Sequence, residues 1–188
     1  MRIPPSEALE IVKRYWSDTP VDVFSAAREL GLGPRKDETL PDKVSGAIRR
    51  LDDDNWEIVV NARHAPVRQR FTVAHEIGHF IYHRAKLEAC DGTSDTLAFR
   101  IAEDYYPNKL IGPREEWQAN TFAANLLIPN HVLKAARSLG ISDEEELARR
   151  FNVSKAAMRI KLGLSEPRRG YDADEPEPQV DVMGFDKR

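Results

Sequence analysis

At 188 residues the chain suits one domain of ordinary size, or one with a small appendage. Its 41% hydrophobic and 31% charged residues can build a core, and a formal net charge of -3 excludes a chain-wide nucleic-acid footprint. A single cysteine, Cys90, excludes an internal disulfide and favours a reducing cytosol. No run approaches the roughly 18 apolar residues of a membrane span, and the first residues lack a signal peptide's apolar stretch. The sequence therefore reads as a soluble, cytoplasmic protein.

Ser6 suits the N-cap of a first helix with Leu9, Val12, Tyr15 and Trp16 on one face. Asp22 suits the cap of a second helix that ends at Gly31. The runs 44–51 and 56–61 have β character and flank the polar turn Asp52-Asp53-Asp54-Asn55, which predicts a hairpin and a small antiparallel sheet. Pro66 opens a helix running to about His83. From 84 to 114 the pattern is poor, with room for one strand or short helix near 97–101. A strong helix follows over 115–128, stopped by Pro129. Asn130 starts a short helix ending at Gly140, Ser142 and Glu145 form a capping box for the helix over 143–151, and Ser154 opens another to Leu162. Beyond Pro167 the chain is acidic and proline-rich, which predicts disorder. Trp16, Trp56 and Trp117 stand at patterned positions and read as core.

The Pro66 helix carries His75-Glu76-Ile77-Gly78-His79, the pattern H-E-x-x-H. Residues four apart on a helix share a face, so both imidazoles can reach one ion. Glu76 then sits beside the ion, placed to take a proton from an attacking water. The surrounding Phe71, Ala74, Ile77, Ile81 and Tyr82 imply a buried helix, and Gly78 implies another backbone packed closely there. His83 lies one turn on, but three ligands in a row on a straight helix fan away from one point. It reads as an outer-face or supporting residue.

A catalytic zinc usually has three protein ligands, so the third comes from elsewhere. The best candidate is Glu116, whose i+4 neighbour Asn120 could support the ligands by hydrogen bonding. Glu115 is a rival whose i+4 neighbour, Ala119, supports nothing. By itself Glu116 is a weak signal, because a glutamate in a helix's first turn also serves the helix dipole.

The stretch Arg68-Gln69-Arg70-Phe71-Thr72-Val73-Ala74-His75-Glu76-Ile77-Gly78-His79-Phe80-Ile81-Tyr82-His83 resembles the ImmA/IrrE family of metallopeptidases. So does Glu116-Trp117-Gln118-Ala119-Asn120-Thr121-Phe122-Ala123-Ala124 with Leu126-Leu127-Ile128-Pro129, and the likeness extends over about residues 6 to 165. It implies an α+β fold: a zincin-like core over 1–129, a helix-turn-helix-like helical unit over 130–166, and a tail over 167–188. It implies His75, His79 and Glu116 as ligands of one zinc per chain, Glu76 as general base and a helix-turn-helix repressor as substrate. Cleavage would release stress or mobile-element genes. Asn125 stands where members commonly carry glutamate. With no long C-terminal sensory domain of the radiation-response branch in these 188 residues, the expectation is a likeness to the short phage- or mobile-element-associated branch.

Other readings come from the same residues. Asn152 sits where a helix-turn-helix needs a residue tolerant of positive φ, with Lys155, Arg159 and Lys161 on the following helix. The acidic run 143–146 counts against DNA binding through 143–162. A non-proteolytic regulator, or a toxin–antitoxin-like partner binding a repressor or DNA, is the alternative function. His64, Tyr82 and His131 are candidate oxyanion or substrate contacts. The strand 56–61 is expected to offer its edge to substrate backbone.

Overall fold

The computed structural model describes residues 3–52, 55–89, 98–101 (backbone only) and 110–164. Cys90 and the tail predicted over 167–188 lie outside them. The chain runs α1 (Pro5–Lys13), a 3-10 turn (Arg14–Ser17), α2 (Val23–Glu29), β1 (Arg35–Asp37), β2 (Val44–Arg50), β3 (Trp56–Asn61), α3 (Pro66–Tyr82) and α4 (Arg84–Glu88). It continues with β4 (Ala98–Ile101), α5 (Pro113–Leu127), α6 (Asn130–Ser138), α7 (Glu144–Phe151) and α8 (Lys155–Lys161). The fold is α+β. Among the described residues no helix is long and apolar enough to cross a membrane.

The four strands lie in the order β1-β3-β2-β4. The expected hairpin forms, pairing Ile48 with Ile58 and Arg50 with Trp56. The sheet is mixed rather than antiparallel, however, because β1 runs parallel to β3. The chain reverses between β1 and β2 and again in the hairpin, which inserts β3 between its two predecessors. β3 is therefore covered on both sides: Val59, Val60 and Asn61 face β1, and the Ile58 amide donates to the Leu32 carbonyl at 2.8 Å. It offers no open edge, so the expected pairing of substrate with this strand fails.

Helix α3 begins with Pro66 at its first turn, where a missing N–H leaves no bond unmade. All residues from Thr72 to Ile81 are buried. An amphipathic helix buries one stripe; this one is enclosed, with β2 and β3, α5, and α1 and α2 all packed against it. Two glycines permit that enclosure. A Cβ on Gly78 would lie 3.0 Å from Phe122 Cδ1 and 3.2 Å from Ala119 Cα, so α5 packs closely, as the small residues imply. A Cβ on Gly46 in β2 would lie 2.5 Å from the Val59 carbonyl oxygen and 2.6 Å from Thr72 Cγ2. Backbone cannot yield as a flexible side chain can, so Gly46→Ala should lower the unfolding free energy by about 1–3 kcal/mol. Urea unfolding would show this as an earlier midpoint at unchanged slope.

Helices α6 to α8 do not keep a core of their own. Leu133, Ala136, Leu147, Phe151, Val153 and Met158 join the cluster built on Val73, Ile77 and Phe122. Asp143, not Ser142, caps α7, accepting from the Glu145 and Glu146 amides at 3.1 and 2.8 Å. Likewise α1 starts at Pro5, ahead of Ser6. Asn152 adopts the left-handed φ of 51° between α7 and α8. Trp56 is buried edge-on to Phe80, whereas Trp117 is 36% exposed, on the side of α5 opposite Ala119 and Phe122.

Candidate metal centre

Two helices bring three donors together. From α3, His75 and His79 stand one turn apart, with their Nε2 atoms 2.9 Å from each other. From the first turn of α5, Glu116 places Oε2 3.3 Å from His75 Nε2 and Oε1 3.2 Å from His79 Nε2. Among the described residues this is the one group of His, Cys, Asp or Glu arranged to hold an ion. Both imidazoles are 1% exposed. Burial pushes the Glu116 carboxyl up, but where His75 and His79 are protonated their hydrogen bonds and charge outweigh it and hold the group well below the usual carboxylate range. A carboxylate facing two buried ring nitrogens at these separations fits a cation between them, and the donor set suits a borderline-soft divalent ion.

Each ligand candidate is held from behind. His75 Nδ1 lies 3.1 Å from Asn120 Oδ1, the supporting contact expected of Asn120. An amide oxygen accepts, so His75 carries its proton on Nδ1 and keeps a lone pair on Nε2. His79 Nδ1 lies 3.0 Å from His83 Nδ1, and His83 Nε2 lies 2.9 Å from Gln118 Oε1. Burial, with His79 alongside, pushes the His83 imidazole down to about 4. Of the two places the spacing allows His83, outer face or support, the structure shows it buried against His79. Gln118 was not legible, because nothing in the sequence of α5 distinguishes it from a surface glutamine.

The rival Glu115 is engaged elsewhere. Its Oε1 accepts from Lys86 Nζ at 2.6 Å and its Oε2 from the Gly112 amide at 2.9 Å, which closes the start of α5. Asn125 accepts from Lys161 Nζ at 2.5 Å, a contact that a glutamate there could also make. Glu76, next to His75, is 1% exposed.

The remaining candidates are not brought into the group. His64 Nε2 donates to the Asp42 carbonyl at 2.9 Å. His131 is exposed on α6, 6.4 Å ring to ring from Trp16. The Tyr82 ring packs on His83 and Phe122, and burial pushes its hydroxyl up. The basic residues of α8 have partners within the chain: Lys155 and Arg159 reach Glu144 at 3.3 and 2.6 Å, and Lys161 reaches Asn125. Between α3 and α8, Arg68, Phe71, Val153, Ala157 and Ile160 line a groove of about 480 Å³, and the Phe71 ring lies 6.4 Å from that of His75.

Residues 38–163 match the IrrE N-terminal-like domain of peptidase family M78. The chain belongs to this family. It is thus an ImmA/IrrE-type member of a metallopeptidase family, and its His-His-Glu group lies within the matched region. No curated protein matches the chain. Among solved structures it is similar to a Mycobacterium tuberculosis transcriptional regulator, with 19% identity and a TM-score of 0.56. That match covers 88% of this chain and 47% of the other, so the chain spans about half that protein's length. At this identity the likeness speaks to the fold alone.

Proposed function

We propose that the chain is a zinc-dependent endopeptidase that cleaves a helix-turn-helix transcriptional repressor and so releases stress or mobile-element genes. In this reading 1–129 form a zincin-like core and 130–166 a helix-turn-helix-like unit that packs on it. The convergence of His75, His79 and Glu116 beside Glu76 carries the reading. Three protein donors suit a catalytic zinc, which keeps a position open; a structural zinc has four.

His75, His79 and Glu116 hold one zinc, and Asn120 orients His75 through its Nδ1 proton. Bound zinc would supply Lewis acidity, bringing the pKa of water down to about 7. Glu76 accepts the proton of the attacking water and returns it to the departing amine, so one carboxylate serves as base and then as acid. The M78 family supports the peptidase assignment and the chain's own residues support the roles; the repressor substrate rests on the family likeness.

DNA binding through 143–162 is the weaker reading, because the α8 cations that would meet phosphates already have intramolecular partners. The deciding experiment compares intact proteins in host lysates expressing wild type or Glu76→Gln. A repressor fragment seen with wild type alone would establish the peptidase and identify its substrate. Identical lysates, with zinc in both variants, would favour a regulator that acts by binding.

A further inference from the structure

His83 does not join the three converging donors; it touches one of them from behind. Its Nε2 faces Gln118 Oε1 at 2.9 Å and its Nδ1 faces His79 Nδ1 at 3.0 Å. An amide oxygen can only accept, so the proton on the Gln118 side belongs to His83 Nε2. A neutral imidazole has one N–H, which leaves His83 Nδ1 as a lone pair. The bond between the two Nδ1 atoms then has one direction, with His79 Nδ1–H donating. That choice removes the proton from His79 Nε2, the atom turned toward His75 and Glu116.

We infer that Gln118 and His83 form a relay that fixes the tautomer of His79, so that its Nε2 lone pair stands ready for a metal ion. They are positioning residues, reaching the centre only through His79. The arrangement parallels Asn120 and His75, except that an imidazole is interposed between amide and ligand. The interposition follows from where the groups sit. Asn120 is four residues after Glu116 and reaches His75 directly, whereas Gln118 meets His83, the residue that ends α3. Had the glutamine presented its NH2 group, every proton in the relay would run the other way. His79 would then carry hydrogen on Nε2 and could not ligate.

The inference rests on the metal-centre reading, and the test keeps the two apart. Zinc affinity is measured by chelator competition on the full chain for wild type, His83→Leu, His83→Asn and Gln118→Leu, with urea unfolding to confirm that each folds. Histidine side-chain nitrogen NMR reads the tautomers. His83→Leu and Gln118→Leu should weaken zinc binding by about 10–100-fold. His83→Asn should restore it, because its amide oxygen can accept from His79 Nδ1. A packing role alone would leave His83→Asn as weak as His83→Leu, and that result would overturn the relay. So would unchanged affinity in both leucine variants, or a proton on His83 Nδ1 in the wild-type spectrum. If wild type binds no zinc, the metal-centre reading falls. The spectrum then decides the relay alone: protons on His83 Nε2 and His79 Nδ1 uphold it, and the reverse overturns it.

Discussion

Glu76→Gln should abolish turnover while leaving zinc in place. The carboxylate is next to His75 in the chain yet outside the group of His75, His79 and Glu116, so its charge is not needed to hold the ion. Glutamine keeps the shape and a hydrogen-bonding oxygen but cannot accept a proton at neutral pH. General acid–base catalysis contributes about 10²–10⁴-fold, and Glu76 serves in both directions of proton transfer, so kcat should fall by about that range or more. KM should change little, because no substrate contact is removed. The position is 1% exposed, and glutamine matches glutamate in size, so the substitution should be accommodated without repacking. Purified variant and wild type would be compared for bound zinc and for the rate of fragment formation from the substrate. Turnover within tenfold of wild type would remove Glu76 as the base. Loss of zinc would place it among the ligands instead.

Helix α3 was legible because two independent signals coincide on it. Its apolar positions and Pro66 mark a buried helix, and the H-E-x-x-H spacing marks its chemistry. Gly78 signalled a close neighbour, and Ala119 with Phe122 supplies it. Glu116 and Asn120 could be paired because helical periodicity puts them on one face, though only the folded arrangement separates Glu116 from Glu115. What escaped was long-range. Strand β1 is three residues long, too short to show a period, so nothing local announces that it covers β3 and makes the sheet mixed. Trp117 follows the helical pattern yet stays outside, because the core-facing stripe of α5 is set by the approach of α3. Gln118 has meaning only through a histidine 35 residues earlier.

Glu116→Ala is the second large effect, and it falls on the metal rather than on the chemistry. The two carboxylate oxygens of Glu116 each face one imidazole, so this residue ties α5 to both donors of α3. Losing an outer-shell partner typically weakens metal binding by about 10–100-fold, and losing a direct ligand should exceed that. The variant should therefore emerge from dialysis without stoichiometric zinc and without activity. Glu115→Ala makes the decisive comparison. It removes the acceptor for Lys86 and for the Gly112 amide, a loss resembling that of a helix cap, worth about 0.5–2 kcal/mol of stability. Zinc should stay bound in that variant. Atomic absorption on both proteins, with thermal unfolding beside it, reads the two effects separately. If Glu116→Ala retains one zinc per chain, the third ligand lies elsewhere, and the carboxylate between the two histidines would serve only to neutralise them.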